Sequence, residues 1–457
     1  MPPKENMIAE SVETAPITRN EEILTHSVTL DASKCKGCTT CIKHCPTEAI
    51  RVKNMRAVIE NARCIDCGEC IRVCQSKAKK AISDKFEDFA GYKYKIALPA
   101  PALYGQFEDA LDLDVLLSAL AECGFDDVFE VSRAAEIVSE YTRKYMERND
   151  DKEKPFISSA CPVIVRLISI RYPLLVENVM PIMAPIEVAA RIARKEALAA
   201  HPELCDDDIA VLFISPCPAK VSYVKNPIGI EKSAVSGVLS IGEFYFKMLS
   251  AMKKIDEPRI QAKSGIIGIS WAGAGGEASA LFNEKYLAAD GIENVIKVLD
   301  EIDNGNIRNL DFVELNACNG GCVGGVLNIE NPYIAKARLQ TMRRYLPVSL
   351  NRVGDCRLDN YEWLSPLEVN NVSTLDGDRR EAMRKMREIV TIAENLPGID
   401  CGSCGAPSCR AFAEDIVRGR ALPDDCVFLM RDKLRKLVDE GRADCRNCPN
   451  GMRKKTE

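Results

Sequence analysis

Short apolar runs alternate with helical patterns across the middle of the chain, from about position 92 to position 370. The runs predict buried strands, because continuous apolar stretches of this length are typical of parallel sheets covered on both faces. They lie at residues 95–98, 156–158, 209–215, 265–270 and 312–315. Segments such as 186–198 and 244–254 repeat apolar residues at helical spacing and predict helices. The middle of the chain is therefore expected to form an α/β fold.

The two ends of the chain differ from the middle in composition and in the spacing of their apolar residues. Residues 1–25 are polar and charged with little periodicity, which predicts a mobile tail. Residues 26–90 contain two cysteine-dense repeats, and a helical pattern at 379–396 stops at Pro397 before a second cysteine-rich stretch. The predicted organisation is a tail over 1–25 and three domains, which cover residues 26–90, 91–370 and 371–457.

The composition fits a folded protein rich in metal-binding thiols. The 457 residues correspond to roughly three domains of about 150 residues. The net charge is −6, so a nucleic-acid partner held by bulk charge is not expected. Neither a membrane helix nor a signal peptide is predicted, so we expect a cytoplasmic protein. Because disulfides are rare in that compartment, 21 cysteines against 3 histidines point to metal.

The repeats in residues 26–90 have the spacing that wraps a backbone around a 4Fe–4S cluster, with the fourth thiolate given to the neighbouring cluster. They resemble a bacterial two-cluster ferredoxin. A pair of zinc knuckles is the alternative, but eight cysteines in register make zinc improbable. One cluster is assigned to Cys35, Cys38, Cys41 and Cys74, and the other to Cys64, Cys67, Cys70 and Cys45.

Three cysteine-bearing segments of the central domain follow predicted strands. Ligand sites assemble at the carboxyl ends of strands in α/β sheets, so their thiols are candidates for one more 4Fe–4S cluster. A lone cysteine is more often a small buried apolar residue. The Gly-rich spacing after Cys318 and the Pro-Cys-x2-Lys segment together favour ligation. The candidate ligands are Cys161, Cys217, Cys318 and Cys322.

These segments resemble, in order, the three signature loops of FeFe hydrogenases. The resemblance implies a central α/β H-cluster domain between an N-terminal ferredoxin-like (α+β) domain and a C-terminal helical 4Fe–4S domain. In that family the central cluster is bridged through one cysteine, here Cys322, to a two-iron subcluster carrying CO, cyanide and an azadithiolate. Lys220 matches the family lysine that hydrogen-bonds a cyanide ligand.

The chain departs from the family pattern along the proton route. Ala160 stands where the family has a cysteine that relays protons, and Ser215 and Asn316 replace methionines. A looser alignment places three further positions on that route, namely Ala184 for a serine, Arg133 for a glutamate and Glu136 as a matching carboxylate. General acid–base groups contribute about 10²–10⁴ in rate, so slow turnover is expected. This pattern resembles the sensory branch of the family.

The C-terminal cysteines resemble a small 4Fe–4S domain of electron-transfer and corrinoid iron–sulfur proteins. Apolar spacing from Phe412 predicts a helix that Gly419 ends. The four ligands are Cys401, Cys404, Cys409 and Cys426. The remaining cysteines fall in two groups: Cys445 and Cys448, which either join another cluster or form a free pair, and Cys123, Cys205 and Cys356, which are expected to be structural.

Three functions remain open from the sequence. The first is a sensory FeFe hydrogenase that interconverts H2 with protons and electrons, with a redox partner such as ferredoxin and a signalling partner such as a kinase or phosphatase. The second is a hydrogenase-like protein of iron–sulfur assembly without the two-iron subcluster. The third is a plain electron-transfer scaffold. The two complete ferredoxin-type repeats and the C-terminal cysteines favour the first.

Overall fold

The computed structural model describes residues 26–108, 112–350 and 358–446. The predicted tail over 1–25, Cys356 and Cys448 lie outside these residues, as does the side chain of Cys445. The strands are β1 (Val28–Leu30), β2 (Ile50–Lys53), β3 (Arg56–Ile59), β4 (Lys79–Ala81), β5 (Tyr94–Pro99), β6 (Asp127–Val128), β7 (Phe156–Ile157), β8 (Ile209–Ser215), β9 (Gly237–Ser240), β10 (Tyr286–Asp290) and β11 (Phe312–Asn316).

Several helices of the central unit begin with proline, which suits the first helical position because its missing N–H has no intrahelical partner there. The helices are α1 (Thr40–Lys43), α2 (Glu69–Arg72), α3 (Pro101–Tyr104), α4 (Leu113–Glu122), α5 (Val131–Arg148), α6 (Pro162–Arg171), α7 (Pro185–Ala200), α8 (Pro218–Lys225), α9 (Ile241–Met252), α10 (Ile266–Ser270), α11 (Gly276–Ser279), α12 (Ile292–Asp303), α13 (Pro332–Arg343), α14 (Arg379–Glu394), α15 (Cys409–Val417) and α16 (Val427–Arg446).

Two parallel sheets form the centre of the molecule, as the α/β expectation requires. One has the order β6-β5-β8-β9 and the other the order β10-β11-β7. All seven residues of β8 are buried, which explains its uninterrupted apolar sequence. Helices pack on these sheets to form three large apolar cores. The carboxyl ends of β7, β8 and β11 carry the segments that contain the predicted central ligands.

The predicted strand at 265–270 is wrong, because the chain forms helix α10 there. Ser264, Gly265, Gly268 and Ile269 are the buried positions, which is helical rather than alternating spacing. A Cβ on Gly268 would lie 2.1 Å from the Ser132 carbonyl oxygen, so the glycine permits close packing of α10 on α5. A short apolar run cannot distinguish a buried strand from a buried helix by sequence alone.

The cysteine-rich ends have small cores. Near the N-terminus β1 pairs with β4 and β2 with β3, both antiparallel, around six buried residues that include Cys41 and Cys70. Near the C-terminus α14 and α15 enclose a small apolar cluster centred on Phe412. Helix α15 ends at Val417, and Gly419 follows with φ +69°, as the sequence predicts.

Across the described ranges, no helix combines the length and the apolar character needed to cross a membrane. The predicted domain limits at 25/26, 90/91 and 370/371 stay predictions.

Candidate metal centre

Three strand ends deliver the central cysteines to one place. Cys161 follows β7 and caps α6, while Cys217 follows β8 and caps α8. Cys318 follows β11, and Cys322 begins the short helical turn after it. The N-terminus of a helix favours a nearby negative charge, so α6 and α8 both stabilise thiolates at these positions.

All four thiols line one cavity of about 110 Å³. Burial and the neighbouring thiols Cys161 and Cys217 raise the pKa of Cys322 to about 12. Burial and Cys161 raise the pKa of Cys217 to about 11. Burial also raises the pKa of Cys318 well above its ordinary value. Thiols with raised pKa values need a cationic centre to become thiolates, and iron in a 4Fe–4S cluster supplies one. The donor set therefore fits a cluster.

Glycines bring backbone close to this cavity. A Cβ on Gly324 would lie 1.9 Å from the Asn319 carbonyl oxygen, and a Cβ on Gly325 would lie 2.2 Å from the Pro216 carbonyl oxygen. Because no larger residue fits at either position, the loop that carries Cys322 packs tightly against the loop that carries Cys217. This packing fixes the ligand loops independently of what they bind.

Lys220 is one of the residues that line this cavity. Its Nζ donates to the Ala160 carbonyl oxygen at 2.9 Å and lies 5.2 Å from the Tyr223 ring centroid. Burial lowers the pKa of Lys220, while the thiols of Cys161 and Cys217 oppose that shift. The lysine is therefore available as a hydrogen-bond donor to an anionic group held by the cysteines.

The remaining positions of the three loops have distinct surroundings. Ala160 lines the cavity and presents a methyl group where the family has a thiol. The Ser215 hydroxyl is bonded to the backbone N–H and carbonyl of Cys217, both at 3.0 Å, so it holds the ligand loop. Asn316 lines the cavity and donates its amide to Glu314 Oε1 at 2.6 Å.

A buried carboxyl pair, Glu277 and Glu314, also lines the cavity, and our sequence analysis missed it. Ser158 donates its hydroxyl to Glu277 Oε2 at 2.7 Å, and Glu314 accepts the backbone N–H groups of Gly275 and Ala278. Burial and the charge of Glu314 raise the pKa of Glu277, and burial raises the pKa of Glu314.

Of these two carboxyl residues, only one could have been identified as unusual from the sequence. Glu314 was detectable, since a charged residue inside an apolar strand needs a reason. Glu277 lies in a short polar helix and gave no such signal.

The looser part of the proton-route alignment falls on residues with structural contacts. Arg133 forms a two-point ion pair with Glu196, at 2.8 and 3.1 Å. Glu136 accepts the backbone N–H of Gly265 at 2.5 Å and the hydroxyl of Ser349. Ala184 is buried and begins α7 as its N-cap. None of these three contributes to the lining of the cavity, as far as the structure describes the chain.

The ferredoxin-like cysteines group crosswise. Cys45 lines a small cavity together with Cys64, Cys67 and Cys70. Burial raises the pKa of Cys41, and three thiols close enough to add to this shift are Cys38, Cys35 and Cys74. The structure thus brings together the same two groups of cysteines that the sequence proposes as ligand sets, and their ligation of clusters stays a prediction.

The C-terminal cysteines also converge, in a small cavity lined by Cys401, Cys404, Cys409 and Cys426. Burial raises the pKa of Cys404, with Cys426 and Cys401 nearby. Of the cysteines expected to be structural, Cys123 is buried, whereas Cys205 is exposed and contacts Asp208.

The ferredoxin-like unit contacts the loop that carries Cys322. Arg72 donates to the carbonyl oxygen of Gly324 at 2.9 Å, and a Cβ on Gly68 would lie 2.6 Å from a methyl of Val326. Cys67 packs against the same apolar core as Cys161 and Cys217. The ligand set of Cys45, Cys64, Cys67 and Cys70 is therefore the one that borders the central site.

Comparison with known proteins identifies the family. The model of the "Iron only hydrogenase large subunit, C-terminal domain" matches residues 93–266 and 272–326, which is half of the chain. A 4Fe–4S dicluster domain model matches residues 27–75, and a model of an Fe–S cluster region matches residues 396–428.

Two curated relatives match parts of the chain. Iron hydrogenase 1 of Clostridium pasteurianum is 25% identical over 287 residues, covering 51% of this chain and 50% of the relative. An uncharacterized protein of Methanocaldococcus jannaschii is 36% identical over 56 residues, covering 12% of this chain and 25% of that protein. The chain thus spans half or less of the length of these relatives.

One similar solved structure is HydA(deltaEFG), described as revealing stepwise [FeFe]-hydrogenase H-cluster assembly. It is 17% identical to this chain with a TM-score of 0.45, and the match covers 58% of this chain and 88% of that one. An apo [FeFe]-hydrogenase HydA1 variant from Chlamydomonas reinhardtii has a TM-score of 0.46 at 15% identity, covering 63% and 97%. Scores below 0.5 add nothing to the assignment. By the family model, the chain belongs to the iron-only (FeFe) hydrogenase family and is a hydrogenase-like iron–sulfur protein.

Proposed function

We propose that the protein is a slow, sensory FeFe hydrogenase that interconverts H2 with two protons and two electrons. The observation that carries this proposal is the convergence of Cys161, Cys217, Cys318 and Cys322 on one cavity beside the Lys220 ammonium. An electron carrier needs the four thiols alone. A half-buried lysine beside the cavity is explained by an additional anionic ligand there.

The central cysteines would hold a 4Fe–4S cluster, with Cys322 bridging to a two-iron subcluster that carries CO, cyanide and azadithiolate. When bound, this assembly supplies the Lewis-acid iron and the bridging amine for heterolytic cleavage of H2. Lys220 would orient the assembly by donating a hydrogen bond to a cyanide, and the Ala160 carbonyl oxygen holds the lysine in position. The apolar walls, including Ala160 and Phe213, exclude water.

Protons leave the cavity through this chain's own carboxyl groups in our proposal. The raised pKa of Glu277 keeps that side chain protonated near neutral pH, and its carboxyl faces the cavity. Ser158 bonds to Glu277 Oε2 and accepts the backbone N–H of Ala160 at 3.2 Å, so a hydroxyl lies between the carboxyl and the missing thiol. Glu277 thus holds and releases a proton, and Glu314 modulates its affinity for that proton.

Slow turnover follows from Ala160. A methyl group cannot exchange a proton, and Glu277 reaches this position through Ser158 rather than directly. The cysteines near the two ends would hold three further 4Fe–4S clusters, two near the N-terminus and one near the C-terminus, which would carry the two electrons one at a time toward a partner such as ferredoxin. A signalling partner, for example a kinase or phosphatase, reads the redox state in a reducing, anaerobic cytoplasm.

Infrared spectroscopy of the protein matured with the two-iron subcluster tests the proposal. We expect CO and cyanide stretching bands that shift under H2. A matched Lys220→Met variant should shift the cyanide bands more than the CO bands, because the lysine donates to cyanide. Absence of bands in a sample with full 4Fe–4S occupancy would leave an electron-transfer or cluster-assembly protein.

A further inference from the structure

A buried charged seam joins the C-terminal cysteine-rich segment to the ferredoxin-like unit. The Arg51 guanidinium makes two contacts with Asp415, at 2.5 Å from Nε and 3.3 Å from Nη2, and both residues are buried. Arg63 Nη2 lies 2.5 Å from Glu414 Oε1. A two-point guanidinium–carboxylate contact fixes orientation as well as distance, so this seam positions α15.

The cysteine loop itself lies directly on the ferredoxin-like unit. The Val52 N–H donates to the Gly405 carbonyl oxygen at 2.8 Å. Gly405 has φ +84°, and a Cβ there would lie 2.0 Å from the Val52 carbonyl oxygen, so only glycine fits. A Cβ on Gly402 would lie 3.3 Å from Ile42 Cδ1 and 3.5 Å from Lys43 Cε. The loop that carries Cys401 and Cys404 therefore rests on α1, which carries Cys41.

The polar contacts that the C-terminal cysteine-rich segment makes outside its own unit share one partner, the ferredoxin-like unit. Within the described ranges, the hydrogen bonds and ion pairs of residues 400–420 that leave the C-terminal unit end on residues 48–63. They include Ser408 to Glu48 at 3.0 Å and Arg420 to Glu60 at 2.9 Å. The segment is thus seated on the ferredoxin-like unit, on the side where α1 lies.

We infer that the C-terminal cluster exchanges electrons with the cluster of Cys35, Cys38, Cys41 and Cys74, and not directly with the central site. This inference rests on the proposed function only in that both ligand sets hold 4Fe–4S clusters. Electron tunnelling weakens steeply with distance, and the loop contact on α1 makes these two clusters neighbours. The set of Cys45, Cys64, Cys67 and Cys70 borders the loop that carries Cys322, through Arg72 and Gly68.

The electron balance is simple. Each 4Fe–4S cluster accepts one electron, so oxidation of one H2 releases two protons and sends two electrons singly along the chain of clusters. Transfer of one electron to the C-terminal cluster would oxidise its ferredoxin-like neighbour by one electron and reduce the C-terminal cluster by one electron. An external one-electron acceptor, such as a viologen or a small redox protein, would then reoxidise the C-terminal cluster. The C-terminal unit is then the outer end of the relay.

Electron paramagnetic resonance on the full chain tests this order. The protein is reconstituted with 4Fe–4S clusters only, without the two-iron subcluster, and reduced with dithionite. We expect spin–spin broadening between the C-terminal cluster and a ferredoxin-like cluster, and loss of that broadening in Cys404→Ser. If Cys404→Ser lost one cluster by iron analysis but left the remaining line shapes unchanged, the inference would be overturned.

Two further variants locate the contact. The double variant Glu414→Gln with Asp415→Asn should lose the broadening with iron content unchanged, whereas Asp424→Asn, which breaks an exposed ion pair with Lys433 in the same unit, should retain it. Cys38→Ser should narrow the C-terminal signal. A C-terminal signal that stayed broadened in Cys38→Ser would assign the neighbour to another cluster and contradict the inference. Because no H2 chemistry is measured, these results are independent of the proposed hydrogenase activity.

Discussion

The central cavity and the cysteine-rich ends both bring cysteine thiols together, but different forces hold those thiols in place. The central thiols come from positions as far apart as 161 and 322, and three large apolar cores hold their loops. The end units draw most of their thiols from short loops and have few other buried residues. Cys41 and Cys70 are themselves part of the N-terminal core. Packing therefore positions the central cysteines, whereas we expect the end units to depend on bound clusters for much of their stability.

Removing iron should give the largest effect and the clearest test of this contrast. Metal binding supplies about 10–16 kcal/mol in small zinc-dependent domains, and we expect a similar dependence here. In iron-free protein, amide hydrogen exchange should lose protection over 27–81 and 396–428, while β5 and β8 stay protected. Equal protection at the ends with and without iron would remove the contrast.

Restoring a thiol in the central cavity should give the next largest effect. Because Ala160 lines the cavity, Ala160→Cys would place a thiol there, and we expect H2 turnover of matured protein to rise by up to about 10²–10⁴. Ala160→Ser is the control, since it adds similar volume without an acidic proton donor. If the serine and cysteine variants turned over at the same rate, proton relay would not limit this site.

Substitution in the buried carboxyl pair should change H2 turnover less than Ala160→Cys does. Glu277→Gln should slow H2 turnover by about tenfold to a hundredfold, because the amide cannot release a proton. Glu130→Gln is the matched control, since Glu130 is also buried with a raised pKa but accepts the backbone N–H of Lys263 away from the cavity. Equal losses in both variants would indicate a structural effect of burying an amide.

The smallest expected effect is the pH dependence of stability that arises from the Glu277 carboxyl. Its folded pKa is raised above the ordinary value of 4.5, so the folded protein retains a proton there that the unfolded chain has lost. This contribution to stability is complete below pH 4.5 and is lost as pH rises through the folded pKa. A protonated-carboxyl infrared band should persist at pH 6 and vanish at higher pH, and Glu277→Gln should lack it. A band that disappears near pH 4.5 would contradict the raised pKa.

The sequence by itself determined the parts of the molecule that local spacing controls. The cysteine repeats gave the crosswise grouping seen around Cys45 and Cys74, because short spacings fix how a loop wraps a cluster. The buried strands β5, β8 and β11 followed from short apolar runs, of which the run in β8 is uninterrupted. The three central loops also carried the resemblance to the family that the family model confirms.

Tertiary packing alone decided the rest. The run at 265–270 became α10 because its glycine packs on α5, which no local pattern encodes. Glu277 acquires its raised pKa only when folding buries it beside Glu314. The close backbone contact between Gly405 and Val52 joins residues that are more than 350 positions apart in the sequence. Each of these features depends on contacts between distant segments, whose energies arise only after the chain has folded.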